Sequence, residues 1–327
     1  MLRKLVGFRQ SSITTLSASR IPLDPASPRS APRLVALSRT AKLICCSLGL
    51  LPLFLSFAPM PEAAWGPTGH QVTAAIAEAH LTPKAKEAIA TILGPGVHLA
   101  DVSTWADEIK QQRPNTKPWH YIDLEIEDNV TVETEGDYCG RKSCVLDQIK
   151  SEIALLKNPS TSSPRKAEAL KFLIHFMGDI HMPLHCADDH DGGGNGKKVR
   201  FMGRKMALHA LWDDLIEKRD PGNAEELAPQ LNKEISPTEA MDWAKGTVED
   251  WIFEDYKLAK KTVYPDYHEK FREQGSQIVK LNAGYRDAMQ PLVYQQLQKG
   301  GIRLATVLNQ IFGEGDAPYD LDLGTFR

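Results

Sequence analysis

The sequence lacks an apolar run long enough to cross a membrane. Residues 43–58 are apolar but fall short of the roughly 20 residues that a transmembrane helix needs. Basic residues precede this run, and Ala63 and Ala64 follow it, which is the layout of a secretory signal peptide. We therefore expect residues 1–64 to be a leader and 65–327 to be a secreted or periplasmic protein that is not integral to a membrane. A retained N-terminal anchor is the alternative.

Beyond the leader the chain also lacks an excess of positive charge. The leader holds eight Lys/Arg and two Asp/Glu, and subtracting these from totals of 39 and 42 leaves 31 basic and 40 acidic residues, a formal charge of −9. This balance argues against tight binding of duplex nucleic acid, which needs many Lys/Arg contacts with phosphates. An enzyme that holds phosphate through metal ions does not need a basic surface.

Cysteine is scarce, and only three cysteines lie beyond the leader. Cys139 and Cys144 flank a short polar loop, and we expect them to form a disulfide in an exported protein. Cys186 is then unpaired. It adjoins His185, so a metal ligand is one interpretation, but the pattern favours a buried thiol.

Internal repeats and domain linkers are absent after residue 65, and the hydrophobic pattern is helical almost throughout. We therefore predict one mostly α domain. The predicted helices span residues 71–79, 83–93, 102–110, 145–156, 164–182, 237–258 and 300–312. A short strand at 198–202 leads into a further helix that carries His209 and Asp213.

Histidine and aspartate recur at helical spacing. His175 and Asp179 are one turn apart on the predicted central helix, and His209 and Asp213 repeat that spacing. His185 follows soon after the first pair, where a proline ends the helix. Such pairs give a zinc ion one neutral and one anionic ligand on a rigid frame. We therefore predict a metal site rather than isolated histidines.

Seven local frames identify a wider set of candidate residues. They are Trp65-Gly-x-x-Gly-His70, Trp105-Ala-Asp107, His120-Tyr121-x-Asp123, His175-Phe-x-Gly-Asp179-Ile-His181-x-Pro-Leu-His185, Gly193-Gly-Asn195, Leu208-His209-x-x-Trp212-Asp213 and Gly301-Ile-Arg303-Leu-Ala305. In this order, over residues 65 to about 312, they resemble the S1/P1 nuclease family of zinc-dependent, single-strand-specific nucleases. The resemblance implies a helical fold of the phospholipase C/nuclease type with a trinuclear zinc cleft.

The resemblance also implies a ligand set for each of three zinc ions, with Asp179 shared between two. The sets are Asp107, His120, His175 and Asp179; the Trp65 amino group and carbonyl with His70 and Asp179; and His185, His209 and Asp213. Sites with three protein ligands leave positions open for water and substrate. Paired zinc ions suit phosphodiester hydrolysis because they activate water and hold phosphate oxygens.

Further residues are assigned by the same resemblance. Tyr121 and Asp123 occupy positions that stack on and hydrogen-bond a base, although a core role for Tyr121 is an equal alternative. Lys110 stands where many relatives carry an arginine that stabilises phosphate charge, and joins Asp107 and Asp179 as a candidate catalytic residue. Two further residues, Asn195 and His181, lie outside the ligand sets. Asn195 is either a phosphate contact or a residue that shapes its loop, and His181 is expected to be structural.

The expected activity is hydrolysis of single-stranded DNA and RNA to products with a 5′ phosphate, with an accompanying 3′-nucleotidase activity. Single-stranded nucleic acid or nucleotides are then the binding partners, and no stable protein partner is implied. A zinc-dependent phospholipase C is the alternative because it shares the fold and the zinc ligands. A zinc-storage or structural protein is a third class, and it would need neither open metal positions nor a stacking platform.

Overall fold

The computed structural model describes residues 65–127, 139, 143–214 and 223–313. The expected leader lies outside the described residues, as does most of the acidic loop before the fourth predicted helix. Within this part of the chain, no helix combines the length and apolarity that a bilayer crossing requires. The architecture is mostly helical with one small sheet, as predicted.

Twelve α-helices and three strands make up the described part. In chain order they are α1 Pro67–Ala79, α2 Pro83–Leu93, α3 Leu99–Val102, α4 Trp105–Ile109, α5 Val145–Lys157, α6 Ser163–Asp179, β1 Lys198–Phe201, β2 Arg204–Ala207, α7 Leu208–Asp214, α8 Ala224–Glu234, α9 Pro237–Trp243, α10 Val248–Leu258, α11 Tyr264–Gln274, β3 Val279–Leu281 and α12 Ala283–Phe312.

Helix α6 is the central element of the core. Its last eleven residues, 169–179, are nearly all buried, and α5, α1, α4 and α12 pack around it. The proline in its first turn suits a helix start, where a backbone N–H has no partner to lose. The helix ends at Asp179 and not at the predicted 182, since the chain turns before Pro183 begins a short 3₁₀ turn, Pro183–His185. This turn brings His185 back towards the end of α6.

Helix α12 is much longer than predicted. Pro291 suggests a helix boundary, yet the helix continues through it from Ala283 to Phe312. Close packing explains why α12 has glycine at position 301, because a Cβ added there would lie 2.4 Å from a methyl group of Ile76 on α1. Only a residue without a side chain lets the two helices approach this closely, and α1 carries one of the candidate ligands.

Two predicted helices are each divided in the structure. The predicted 237–258 helix is α9 followed by α10, because Gly246 takes a positive φ of 91° and Thr247 with Asp250 caps the new helix. Of the two tryptophans expected to face inward, Trp251 is buried but Trp243 is only half-buried. The predicted 102–110 helix is likewise the end of α3 followed by α4.

The sheet has the strand order β2-β1-β3, with β2 antiparallel and β3 parallel to β1. The predicted strand corresponds to β1, whereas β2 and β3 were not predicted. Val199 and Phe201 are buried on the inner face of β1 together with Val279 and Leu281 of β3. Helix α7 starts directly after β2, so the sheet is continuous with the second His/Asp pair.

The cysteine prediction is confirmed. Cys139 and Cys144 form a disulfide with an S–S distance of 1.94 Å, and Cys186 is a buried free thiol. Burial raises the pKa of the Cys186 thiol well above its ordinary value, which keeps it protonated. The Sγ of Cys186 donates to Ile180 O at 3.5 Å, and no group of described residues that could hold a metal ion includes Cys186, which favours the buried-thiol interpretation.

Candidate metal centre

Eight of the candidate ligand side chains converge on three groups that could each hold a metal ion. Within each group the ligand atoms lie within 4.8 Å of one another. The groups are His70, His175 and Asp179; Asp107, His120 and His175; and His185, His209 and Asp213. Residues far apart in the chain are thus brought to the C-terminal end of α6.

The group of Asp107, His120 and His175 is built from three elements. Asp107 lies on α4, His120 ends the 3₁₀ turn Pro114–His120, and His175 lies on α6. Nδ1 of His120 is 3.0 Å from Nε2 of His175, and both nitrogens lie 3.3–3.6 Å from Oδ1 of Asp107. The ammonium of Lys110 lies 2.6 Å from the same carboxylate oxygen. Lys110 is therefore placed beside this group as the sequence predicts, while its role in catalysis stays a prediction.

Asp179 lies between two of the groups. Its Oδ2 is 3.1 Å from Nδ1 of His120 and 3.4 Å from Nε2 of His175, whereas its Oδ1 is 3.5 Å from Nε2 of His70. The two oxygens of one fully buried carboxylate thus face different histidine sets. This geometry suits a ligand shared by two metal ions.

His70 is held in a narrow space on α1. Its ring stacks on the ring of His175 with a centroid distance of 3.8 Å. On α6, a Cβ added at Gly178 would lie 2.7 Å from Nδ1 of His70. Glycine at position 178 therefore leaves the room that the His70 ring occupies.

The third group joins the 3₁₀ turn after α6 to helix α7. Nε2 of His185 is 3.2 Å from Nε2 of His209, and Nε2 of His209 is 3.7 Å from Oδ2 of Asp213. His209 and Asp213 are one helical turn apart, as predicted. All three side chains are buried.

Backbone carbonyls orient three of the histidines. Nδ1 of His175 donates to Ser103 O at 2.7 Å, and Nδ1 of His185 donates to the carbonyl of His120 at 2.8 Å. Nδ1 of His209 donates to Gly193 O at 2.6 Å. A proton fixed on Nδ1 leaves Nε2 as the lone-pair nitrogen facing the group, which is the arrangement that metal-ligating histidines need. The sequence contains no signal for these carbonyl partners, apart from the Gly193 frame.

The ionisation of these side chains suits a bound cation. Burial lowers the pKa values of His70, His120 and His185 well below the ordinary value, so these rings are neutral. Burial raises the pKa of Asp179 to about 8. Burial also raises the pKa of Asp107, but the neighbouring His175 and Lys110 outweigh burial and hold the pKa of this carboxyl well below the ordinary value. A divalent cation would favour the ionised form of both carboxylates.

Unsatisfied polar atoms test whether the residues fit a metal ion. Both ring nitrogens of His70 and Oδ1 of Asp179 are buried and form no hydrogen bond within the described residues. A buried polar atom without a partner costs about 1–3 kcal/mol. A metal ion coordinated by these groups would remove that cost, and imidazole with carboxylate is a donor set that zinc accepts. The residues present therefore fit a metal ion.

Trp65 is the first described residue, and its side chain is fully buried. The N–H of the adjacent Gly66 donates to the carbonyl of Asp213 at 3.4 Å, which connects this end of the described chain to the third group. The expected coordination through the Trp65 amino group and carbonyl stays a prediction.

Tyr121, Asp123 and Asn195 are the residues expected to contact the substrate. The side chain of Tyr121 is 36% exposed, so the alternative that it belongs to the core is wrong. Asp123 is also exposed. The amide of Asn195 donates to Gly192 O at 2.9 Å, which shows that it shapes its loop. Contacts of these three residues with a base or phosphate stay predictions.

His181 points away from the metal groups. Its Nδ1 donates to Met177 O at 2.7 Å, and the guanidinium of Arg303 donates to its Nε2 at 3.0 Å. Burial and the nearby Arg303 charge lower the pKa of His181 to about 3, so the ring stays neutral. Arg303 on α12 also forms an ion pair with Glu254 on α10. The contacts of Arg303 thus join the turn after α6 to α10 and α12. These contacts agree with the expected structural role, and sequence reasoning missed both partners.

Comparison with known proteins identifies the family. A model of the S1/P1 nuclease family matches residues 65–313. Endonuclease 2 of Arabidopsis thaliana is 31% identical over 81% of this chain and 96% of its own length. Nuclease P1 of Penicillium citrinum is 31% identical over 76% of this chain and 98% of its own length. Nuclease S1 of Aspergillus oryzae is 29% identical over 76% of this chain and 91% of its own length.

These matches bear out the expected nuclease, a hydrolase of phosphodiester bonds, and give no support to the phospholipase C alternative. They cover the segment that contains all three groups of candidate ligands. Family and geometry thus lead to one conclusion: the chain belongs to the S1/P1 nuclease family.

Proposed function

We propose that this nuclease uses three zinc ions to hydrolyse single-stranded DNA and RNA, leaving a 5′ phosphate, and that it also removes the phosphate from 3′-nucleotides. The observation that carries the proposal is the position of Asp179, whose two oxygens face two different histidine sets. Side chains of histidine and aspartate without a cysteine thiolate suit zinc in an open, catalytic site.

The ligand assignment follows the three groups. Asp107, His120, His175 and Asp179 would hold one ion, and His185, His209 and Asp213 would hold another. The remaining ion, the His70 ion, would take His70, Asp179 and the amino terminus. Zinc ions bound in this way would lower the pKa of water and balance the charge that develops on phosphate oxygens.

The protein residues around the groups have defined tasks in this proposal. The backbone carbonyls of Ser103, His120 and Gly193 fix the imidazole rings, so little reorganisation accompanies the reaction. His175 and, to a smaller extent, the buried Lys110 lower the pKa of the Asp107 carboxyl, and Lys110 would add positive charge where a phosphate would bind. Tyr121 would stack on a base, and stacking tolerates any base sequence.

The His70 ion requires a free amino terminus at Trp65. We therefore propose that the chain is exported, that the leader is cut immediately before Trp65, and that the mature protein is secreted or periplasmic. N-terminal sequencing of the mature protein is expected to begin Trp-Gly-Pro. A mature chain that starts at any other residue would remove this ligand and contradict the assignment.

A substrate panel tests the proposed activity. The purified mature protein is expected to hydrolyse single-stranded DNA, RNA and 3′-nucleotides, to act far more slowly on duplex DNA, and to leave phosphatidylcholine intact. End-group analysis of the products is expected to find 5′ phosphates. Equal rates on single strands and duplex, or products that end in a 3′ phosphate, would overturn the proposal.

A further inference from the structure

A basic β-hairpin lies beside the third metal group. Residues 197–205 carry five Lys/Arg and no Asp/Glu, in a chain whose part beyond the leader has a formal charge of −9. The hairpin consists of β1 and β2, and β3 extends the sheet on the other side of β1. The metal ligands do not account for this concentration of positive charge.

The strand register places three cations in a row. Arg200 on β1 pairs with Lys205 on β2 and with Lys280 on β3. Directly paired residues project from the same face of a sheet, so the row crosses all three strands. Lys198 lies two residues before Arg200 and belongs to the same face. The other face carries Val199, Phe201, Val279 and Leu281, which are buried in the core, so the row lies on the outer face.

The charge of this row is not neutralised. The Lys198 ammonium and the Arg200 guanidinium donate to backbone carbonyls at 2.7 and 3.2 Å. Within the residues that the structure describes, Lys198, Arg200, Lys205 and Lys280 form no ion pair. The ammonium of the neighbouring Lys197, in contrast, lies 2.6 Å from Oδ2 of Asp189. Like charges directly opposite each other destabilise a sheet. An anionic ligand on this face would relieve the repulsion.

The row of cations is joined to the metal centre by the chain that runs from β2 into α7. Strand β2 ends at Ala207, α7 begins at the next residue, and His209 lies one residue further. The N–H of Leu208 donates to the carbonyl of Lys197 at 2.8 Å, which ties the start of α7 to the residue that precedes β1. His209 is four positions after Lys205 in the chain, and extended chain over four positions spans at most about 13 Å.

We propose that this outer face binds the phosphate backbone of a single strand where the strand leaves the metal centre. The proposal rests on the proposed function, and it assigns Arg200, Lys205 and Lys280 to the binding of polymeric substrate outside the reacting phosphodiester. Evenly placed cations without a base-reading pocket recognise phosphates independently of sequence. The position next to the third metal group favours a strand already held there over a lipid surface.

A charge-neutralised variant tests this surface. Arg200→Gln, Lys205→Gln and Lys280→Gln, combined in one protein, are expected to raise KM for a long single-stranded oligonucleotide on the order of ten-fold at low salt. The slope of log kcat/KM against log salt is expected to become shallower by about 2, because each phosphate contact on a single strand contributes about 0.7. The values of kcat and KM for a dinucleotide are expected to stay unchanged, since it does not reach the sheet.

The matched control removes the same amount of positive charge from three exposed lysines that lie on helices and not on the sheet. Its substitutions are Lys157→Gln, Lys233→Gln and Lys257→Gln. It is expected to behave as wild type. An unchanged oligonucleotide KM in the sheet variant, or an equal loss on the dinucleotide or in the control, would overturn the proposal. Binding of wild type to anionic vesicles that is stronger than binding to the oligonucleotide, and that the sheet variant loses, would assign the face to membranes instead. A wild-type protein that cleaves neither substrate would contradict the proposed function itself.

Discussion

Asp179→Asn is expected to lower kcat/KM on single-stranded DNA on the order of a thousand-fold or more, several kcal/mol of activation free energy. Asparagine keeps the shape of the side chain but removes the negative charge that faces His120 and His175 on one side and His70 on the other. Two metal sites therefore lose an anionic ligand through one substitution. Zinc content, measured by mass spectrometry, is expected to fall together with the rate, while circular dichroism stays that of the wild type.

His181→Ala is the matched comparison, because the two residues are neighbours on the same buried turn. It removes the acceptor of the Arg303 guanidinium and leaves a buried donor unsatisfied, which costs about 1–3 kcal/mol of stability. This variant is expected to melt earlier yet to retain zinc and most of its rate below its Tm. An inactive His181 variant with full zinc content, beside an active Asp179→Asn protein, would refute the ligand assignment.

Gly178→Ala is expected to reduce zinc occupancy or activity by roughly 10- to 100-fold, the range found when a group that supports a metal ligand is altered. Alanine suits a helix better than glycine does, so the helix itself is not weakened. The added methyl group would lie 2.7 Å from Nδ1 of His70, whose ring also stacks on the ring of His175. The His70 ring or α6 must therefore shift, which disturbs the geometry of the His70 ligand.

Gly284→Ala provides the control for this substitution. Gly284 is also helical, and the Cβ added there meets only the side chain of Asn282, at 3.1 Å. It is expected to keep zinc content and rate near those of the wild type. If the Gly178 variant also kept full zinc and full rate, His70 would not depend on the space beside α6, and its place among the ligands would be wrong.

The ligand groups could be predicted from sequence because each has a local frame. His175 with Asp179, and His209 with Asp213, need only the period of a helix to be placed on one face. Asp107 and His120 carry no such periodic signal, and their frames became informative through their order along the chain and the family resemblance. The structure adds the distances that bring these frames together at the end of α6.

The parts that sequence reasoning missed depend on tertiary contacts. Helix α12 continues through Pro291 because packing on the rest of the domain outweighs the lost hydrogen bond, and no local rule predicts that outcome. Strands β2 and β3 are four and three residues long, too short for a clear alternating pattern. The cationic row across the sheet follows from strand register, which joins residues 200 and 280, and was therefore not visible in the chain order.

Zinc analysis of the mature protein, coupled to activity, tests the central claim most directly. Mass spectrometry under native conditions is expected to find three zinc ions per chain. Removal with a chelator should abolish hydrolysis of single-stranded DNA, and titration with zinc should restore it as the third equivalent binds. A protein that contains no zinc and hydrolyses single-stranded DNA at the full rate would contradict the account.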